Sequence, residues 1–468
     1  MAHLAIRPLL AGLAAVVVLG LGAPASARAP QTAERISTSV TCPATVAEVT
    51  PAQVDAVFEL ASRKLWAAAK GDPTRYPFGA LQGKPTYQRT GPTGWTSGFF
   101  PGELWLMVRR TGSARWLDQA RRWTQGLLPV ARFRGSHDLG FMVGIPTSLG
   151  FTLEPGSATR TTYARAETRA ARTLAKRWNR RVQAIKSADY GDRWGVIVDS
   201  AMNAPMLIEV GDRLGGSTGE RLRQIGMMHM RTLARDFIRP DGSTYHRMSY
   251  NPRTGRLIGP IPGQGLNPRT STWARGQAWA IAGFAQAYAQ TGDPEILDAA
   301  MRTANFWLQQ VPAGCVPAWD LALSNPSAPR DTSALAIVAV GLLTLADALE
   351  AREPQQEEPQ AVESEAGSML PAGTSDRLRT YARTALGTLA TPIWTTAYSA
   401  NPGILRRQTL SVPADPREGT YVWGDYYLLA GLLAAQAASA STDGSDPADE
   451  VRGEPAVVLG LQDRVAPV

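Results

Sequence analysis

Two aspartates, each at the mouth of a helical pattern, are the residues of this sequence best suited to acid–base chemistry. Asp199 follows the β-branched run Val196-Ile197-Val198 and opens Ser200-Ala201-Met202-Asn203; Asp138 follows His137 and opens Leu139-Gly140-Phe141-Met142. An aspartate in that place is most simply an N-cap, and the helix dipole then favours the ionised carboxylate, the wrong direction for a proton donor. A second carboxylate close by opposes the dipole by repulsion and raises the upper pKa of the pair. Asp138 and Asp199 are therefore read together, as a coupled pair that holds one proton on the acidic side of neutrality.

Around them stand groups that suit a sugar acid. Gly94-Trp95-Thr96-Ser97-Gly98-Phe99-Phe100 is a glycine-rich lead into a helix that offers an indole for a sugar ring to stack on; a buried turn with core aromatics is the plainer alternative. In Ser271-Thr272-Trp273-Ala274-Arg275-Gly276-Gln277-Ala278-Trp279, Arg275 and Trp279 lie four apart and share a helix face. A guanidinium fork beside an indole can hold a carboxylate and its ring, although a structural arginine packed on a core tryptophan has the same spacing. Gln264 and His246, in the preceding loops, can complete a polar wall. The four histidines, His3, His137, His229 and His246, stand at no ligand spacing from one another or from a cysteine, so neither a zinc site nor another metal centre is expected. With no GxSxG elbow, P-loop or GxGxxG after a strand, serine hydrolase, nucleotide and dinucleotide chemistry lack support, and no cofactor is implied.

The elements that must position these residues are helices. Periodicity marks twelve, near residues 51–70, 98–111, 113–130, 138–150, 159–179, 199–213, 217–237, 275–290, 293–311, 331–350, 374–390 and 423–438. Strand signals are short, at Val196-Ile197-Val198 and from Tyr245 to Tyr250. An α-solenoid is one solution, but the mixture of tight hairpins and long loops suits a closed toroid carrying its site on one rim. Residues 352–373, rich in Glu, Gln, Pro and Ser, read as a solvated acidic insertion, and residues 439–468 as a disordered tail. Residues 1–29 read as a cleavable signal peptide, with Arg7, an apolar run from Leu9 to Leu21 and the small residues Ala25-Ser26-Ala27. Export to a secreted or periplasmic location follows, with a catalytic domain over residues 30–438 and no membrane association after cleavage. The two cysteines, Cys42 and Cys315, are able to pair in such a compartment or to remain free. A formal charge of +8, from 48 Lys and Arg against 40 Asp and Glu, is spread along the chain without a run that tracks a nucleic-acid backbone, so no nucleic-acid partner is expected.

Seven strings in order, "WTSGFFPGELWL", "HDLGFM", "VDSAMNAP", "GSTYHRMSYNPRTGR", "STWARGQAWAIAGFA", "DTSALAIVAVGLL" and "VWGDYYLLAGL", resemble the unsaturated glucuronyl hydrolases of glycoside hydrolase family 88. The resemblance implies an all-α, (α/α)₆ barrel of the six-hairpin glycosidase type. It implies an enzyme that removes a 4,5-unsaturated uronic acid from the non-reducing end of a lyase-generated oligosaccharide, by hydrating the enol-ether double bond. On the matching positions, Asp199 is the general acid/base and Asp138 the second essential carboxylate. His246, Gln264, Arg275 and Trp279 line the unsaturated ring with His137, and Trp95 stacks on it. Where members of the family often carry histidine just before the matching glutamine, this chain has Gly263. The loop from 404 to 420, with Arg406-Arg407, is where the adjoining sugar or its sulfates would be read. The rival readings are an unsaturated rhamnogalacturonyl hydrolase and a sugar epimerase or isomerase on a similar barrel.

Overall fold

The computed structural model describes residues 40–440 except 44, 353–369 and 413. The expected signal segment, most of the acidic insertion and the tail beyond residue 440 lie outside the described residues. Twelve helices follow in order: α1 (Pro51–Ala69), α2 (Phe99–Thr111), α3 (Ala114–Gln125), α4 (Ile145–Leu153), α5 (Ser157–Ala175), α6 (Pro205–Leu214), α7 (Gly216–Phe237), α8 (Ala274–Thr291), α9 (Pro294–Gln310), α10 (Thr332–Glu350), α11 (Thr374–Leu389) and α12 (Val422–Ala440). Every helix expected from periodicity is present.

Even-numbered helices form the inner wall and odd-numbered ones the outer. α10 packs on α8 and α12, α12 on α2 and α2 on α4, while each outer helix packs on its hairpin partner, giving an (α/α)₆ barrel. The two walls differ in sequence for that reason. α10 is apolar all round and long enough to cross a membrane, but here it is buried by protein on almost every side. α3 instead buries Trp116, Ala120 and Trp123 at helical spacing and turns its arginines outward.

Two catalytic-side helices start irregularly, which shifts their expected limits. The segment expected to begin at 138 enters as a π-helical turn, Gly140–Gly144, before α4. The segment expected to begin at 199 enters as a 3₁₀ turn, Val198–Met202, and Pro205 then starts α6. Proline fits there because a first-turn N–H has no intrahelical partner to lose. Such departures from α geometry re-aim side chains at helix mouths.

Short antiparallel sheets cap the same end of the barrel. In one, Ile197 pairs with Arg247 and Trp194 with Tyr250. In another, Tyr76–Leu81 lies between Gln88–Thr90 and Asp415–Tyr421, and Gln408–Ser411 pairs with the latter. Cys42 and Cys315 are joined in a disulfide, next to the pairing of Val40–Thr41 with Val316–Pro317. The N-terminal arm is thereby tied to the connection between α9 and α10.

Candidate active site

Asp199 projects from the 3₁₀ turn at the mouth of α6, held on both sides. Ahead of it, the Val198 N–H donates to the carbonyl of His246 at 2.9 Å. Behind it, Ser200 Oγ donates to the Ile197 carbonyl at 2.5 Å and lies 2.9 Å from His229 Nε2. His229 Nδ1 accepts the Ile185 N–H, so its proton resides on Nε2 and points at Ser200. Burial, then the nearby His137, pushes its pKa down to about 3, so the ring stays neutral. Gly283 on α8 abuts this turn, where a Cβ would lie 2.6 Å from the Ala201 carbonyl. No carboxylate caps a helix here, contrary to the simplest reading of either aspartate: Asp199 sits inside the turn, and Asp138 Oδ2 accepts from Ser136 Oγ at 2.8 Å.

Asn203 links the two aspartates. Its Nδ2 stands 3.4 Å from both Asp138 Oδ1 and the Asp199 carbonyl, and its Oδ1 accepts the Phe141 N–H. His137 Nε2 is 3.5 Å from Asp138 Oδ1, and burial lowers the pKa of His137 against the opposing pull of Asp138. Across the cleft, His246 Nε2 stands 3.7 Å from Asp199 Oδ2, while its Nδ1 accepts the Gln264 N–H at 2.6 Å. Gln264 Nε2 donates to Ser411 Oγ. Three buried polar atoms in this group, Asp199 Oδ2, Gln264 Oε1 and His137 Nδ1, have no partner. Orphaned groups of this kind cost free energy, and a polar ligand is what they fit.

Asp199 is pushed up to about 7, first by burial and second by the charge of Asp138, against its own backbone N–H, Arg275 and Arg247. Proximity to Asp138 was expected to dominate; desolvation is the larger cause. His246 is held well below its usual range by burial and by Arg247 and Arg275, so a neutral imidazole faces the acid.

The aromatic residues divide. Trp95 is half-buried at the cleft, its ring 5.0 Å from Trp423, which stacks on Tyr421 at 4.5 Å and 12°. Trp279 lies a turn deeper and is fully covered, against Phe141 and Tyr427. Arg275 also departs from expectation. Its guanidinium is only 2% exposed: Nη1 pairs with Asp331 and the Thr409 carbonyl, Nη2 donates to the Leu410 carbonyl, and Trp273 and Trp423 lie within cation–π distance. The fork expected to receive a substrate carboxylate is thus engaged by protein, because a buried guanidinium needs a paired charge and acceptors. Gly263 has a local reason too. A Cβ there would fall 2.2 Å from His246 Nδ1, so the chain without a side chain lies directly on the imidazole.

Asn203, Ser200, His229, Asp331 and Trp423 were not singled out from sequence, although four of them fall inside the resembling strings. Nothing in spacing alone marks His229, on outer helix α7, as a partner of the α6 mouth. Among the described residues no group of three or more His, Cys, Asp or Glu is placed to hold a metal ion.

No family model matches the chain. It is 36% identical over 259 residues to an unsaturated glucuronyl hydrolase of Formosa agariphila, covering 54% of this chain and 62% of that protein, less than two thirds of its length. It is 29% identical over 374 residues to an unsaturated glucuronyl hydrolase of Bacillus sp. strain GL1, covering 77% and 90%. The crystal structure of an unsaturated glucuronyl hydrolase specific for heparin superposes with a TM-score of 0.73 at 26% identity, over 84% of this chain and 99% of that one. The barrel, the paired aspartates at adjacent inner-helix mouths and these relatives agree: in sequence and in fold the chain is similar to the unsaturated glucuronyl hydrolases.

Proposed function

We propose that this chain removes a 4,5-unsaturated uronic acid from the non-reducing end of an oligosaccharide, with Asp199 as the general acid/base. The observation that carries the reading is the state of Asp199: buried, with Oδ2 unpartnered and a pKa raised to about 7, facing a neutral imidazole. A carboxyl group so tuned can donate a proton at neutral pH and take one back.

In the reaction, Asp199 protonates C4 of the double bond and positive charge develops at C5, stabilised by the ring oxygen. Water adds at C5, and the Asp199 carboxylate accepts the proton that this water loses. The resulting hemiketal opens and releases the remainder of the saccharide. Asp138, with Asn203 holding its Oδ1, orients the water or a ring hydroxyl and keeps Asp199 protonated. His246, its tautomer fixed by the Gln264 N–H, presents Nε2–H to the substrate or to the carboxylate once formed. Trp95 supplies the stacking surface, Gln264 Oε1 and His137 contribute polar contacts, and Arg275 and Trp279, both covered by protein, support the cleft from beneath.

The rival reading of a barrel epimerase relying on histidine is disfavoured because the group tuned near neutrality is an aspartate, and the relatives favour the glucuronyl over the rhamnogalacturonyl substrate. We also read the chain as exported, on its N-terminal segment and on the Cys42–Cys315 bridge, which an oxidising compartment sustains. Incubation with lyase-generated unsaturated disaccharides tests the activity. Loss of the ultraviolet absorbance of the conjugated double bond is the expected result, and its persistence across uronate-containing substrates would sink the reading.

A further inference from the structure

A basic trough lies on the outer side of the sheet that borders the catalytic cleft. Successive residues of the strand Asp415–Tyr421 face opposite ways: Tyr421 stacks on Trp423 beneath Trp95, whereas Thr420 Oγ1 bonds Asn401 Oδ1 at 2.7 Å on the other side. On that far side are two clefts of about 550 and 430 Å³ that share Ser399, Ala400 and Asn401 as a common saddle.

The charge of the trough is one-sided. Arg63, Lys64 and Arg89 line the first cleft and Arg406 and Arg407 the second, and no Asp or Glu lines either. Three of the five cations are committed to the fold: Arg89 Nη1 donates to the Arg75 carbonyl at 2.7 Å, near the carboxylate of Asp72. Lys64 donates to the carbonyls of Ser399 and Asn401 and so pins the saddle, and Arg407 pairs with Glu418 against the ring of Trp394. Arg63 and Arg406 have no carboxylate at ion-pair distance among the described residues. Beside Arg406, Tyr398 is 90% exposed, an aromatic ring left in water at the edge of a concave polar surface. A cluster of unneutralised guanidinium groups selects a polyanion. An exposed ring beside Gln82, Thr86 and Ser399 suits the faces and hydroxyls of sugars.

We infer that this trough is an accessory binding site for an anionic oligosaccharide, carrying carboxylates or sulfates, on the opposite face of the sheet from the catalytic cleft. The choice of saccharide over other polyanions rests on the activity proposed above; the cationic character of the site does not. Such a site keeps the protein on a uronate-containing polymer, where a lyase generates new unsaturated ends, and so raises their local concentration.

The test is calorimetric titration of the full chain with a sulfated, uronate-containing hexasaccharide whose non-reducing end is saturated, so that it is not turned over. The wild type is expected to bind it, more weakly at raised salt, and an excess of unsaturated disaccharide is expected not to displace it. The double variant Arg63→Ala/Arg406→Ala should weaken binding by about tenfold or more and Tyr398→Ala by about threefold, the scale of lost charge-assisted and stacking contacts. Arg63→Ala alone and Tyr398→Ala, both outside the 404–420 loop expected to read the adjoining sugar, leave turnover of the unsaturated disaccharide unchanged. No binding, binding undiminished in the variants, or full displacement by the disaccharide would each overturn the inference. So would a single-stranded oligonucleotide of equal charge that binds as tightly and loses affinity in the same variants. Wild-type protein without disaccharide turnover would defeat the proposed activity instead, while the hexasaccharide titration still decides on the trough.

Discussion

His246 Nε2 stands 3.7 Å from Asp199 Oδ2, too long for a hydrogen bond and short enough for one to form when a substrate draws the cleft together. The backbone of Gln264 has already chosen which imidazole nitrogen carries the proton. The pair therefore enters the reaction as neutral acid and neutral donor, and the charge that appears on Asp199 after proton transfer meets an N–H oriented towards it.

Asp199→Asn should lower turnover by about 10² or more while leaving the fold intact, the scale of a lost general acid/base. Single-turnover assays with circular dichroism as a control for folding check this; near wild-type turnover would remove Asp199 from the mechanism.

The same substitution should increase stability at alkaline pH. The folded pKa of Asp199 is about 7 against an ordinary value near 3.9, so the folded state holds the proton more tightly, and stability declines as pH rises from about 4 through 7. Asparagine does not ionise and escapes that loss, by on the order of 4 kcal/mol at most above pH 8. Urea titrations at pH 4.5 and 8.5, roughly either side of that window, should show the variant gaining only at the higher pH; equal differences at both would mean that Asp199 titrates normally.

Asp138→Asn should move the basic limb of the pH dependence of kcat/KM to lower pH, because the repulsion that helps keep Asp199 protonated is gone. Since burial is the larger cause, the limb should stop short of an ordinary carboxylate value. A limb that stays in place while the rate falls would assign Asp138 to positioning alone.

Arg275→Lys should cost stability, by roughly 2 kcal/mol, as well as raise KM, because an ammonium group cannot span Asp331 and the carbonyls of Thr409 and Leu410. Denaturant midpoints measured beside KM separate the effects. A rise in KM with an unchanged midpoint would free the guanidinium for substrate.

Reduction of the Cys42–Cys315 bridge should lower the thermal midpoint, since it closes a span of 273 residues and the chain-entropy model assigns about 5–6 kcal/mol to loops of that size. Scanning calorimetry with and without reductant is sufficient, and identical traces would mark the arm as dispensable.

The outer helices were legible because each buries a face at the 3.6-residue period and the inner ones as long apolar runs between polar ends, and the mouth residues because Asp138 and Asp199 stand at the starts of such segments. Which cations are free was not legible. Arg275 next to Trp273 and Trp279 reads as a ligand site until Asp331, 56 residues on, is seen to occupy it. His229 escaped for the same reason, as its partners Ile185 and Ser200 come from distant segments and only the closed barrel brings them within 3.1 and 2.9 Å. The relative weight of desolvation and repulsion at Asp199 likewise depends on depth, which spacing along a chain does not encode.

The inner wall closes when α12 packs on α1 and α2, and the strand Asp415–Tyr421 then pairs with Tyr76–Leu81. The first and last described helices are therefore neighbours, and the contacts between them span nearly all of the described residues. Loop closure must be met before such contacts form, which makes folding slow and places ring completion at its end. A nascent chain that lacks α12 would leave α2 and α10 facing an open seam of apolar surface. Commitment to the native barrel thus waits on the final helix, and the seam between first and last is where chaperone capture or aggregation would begin.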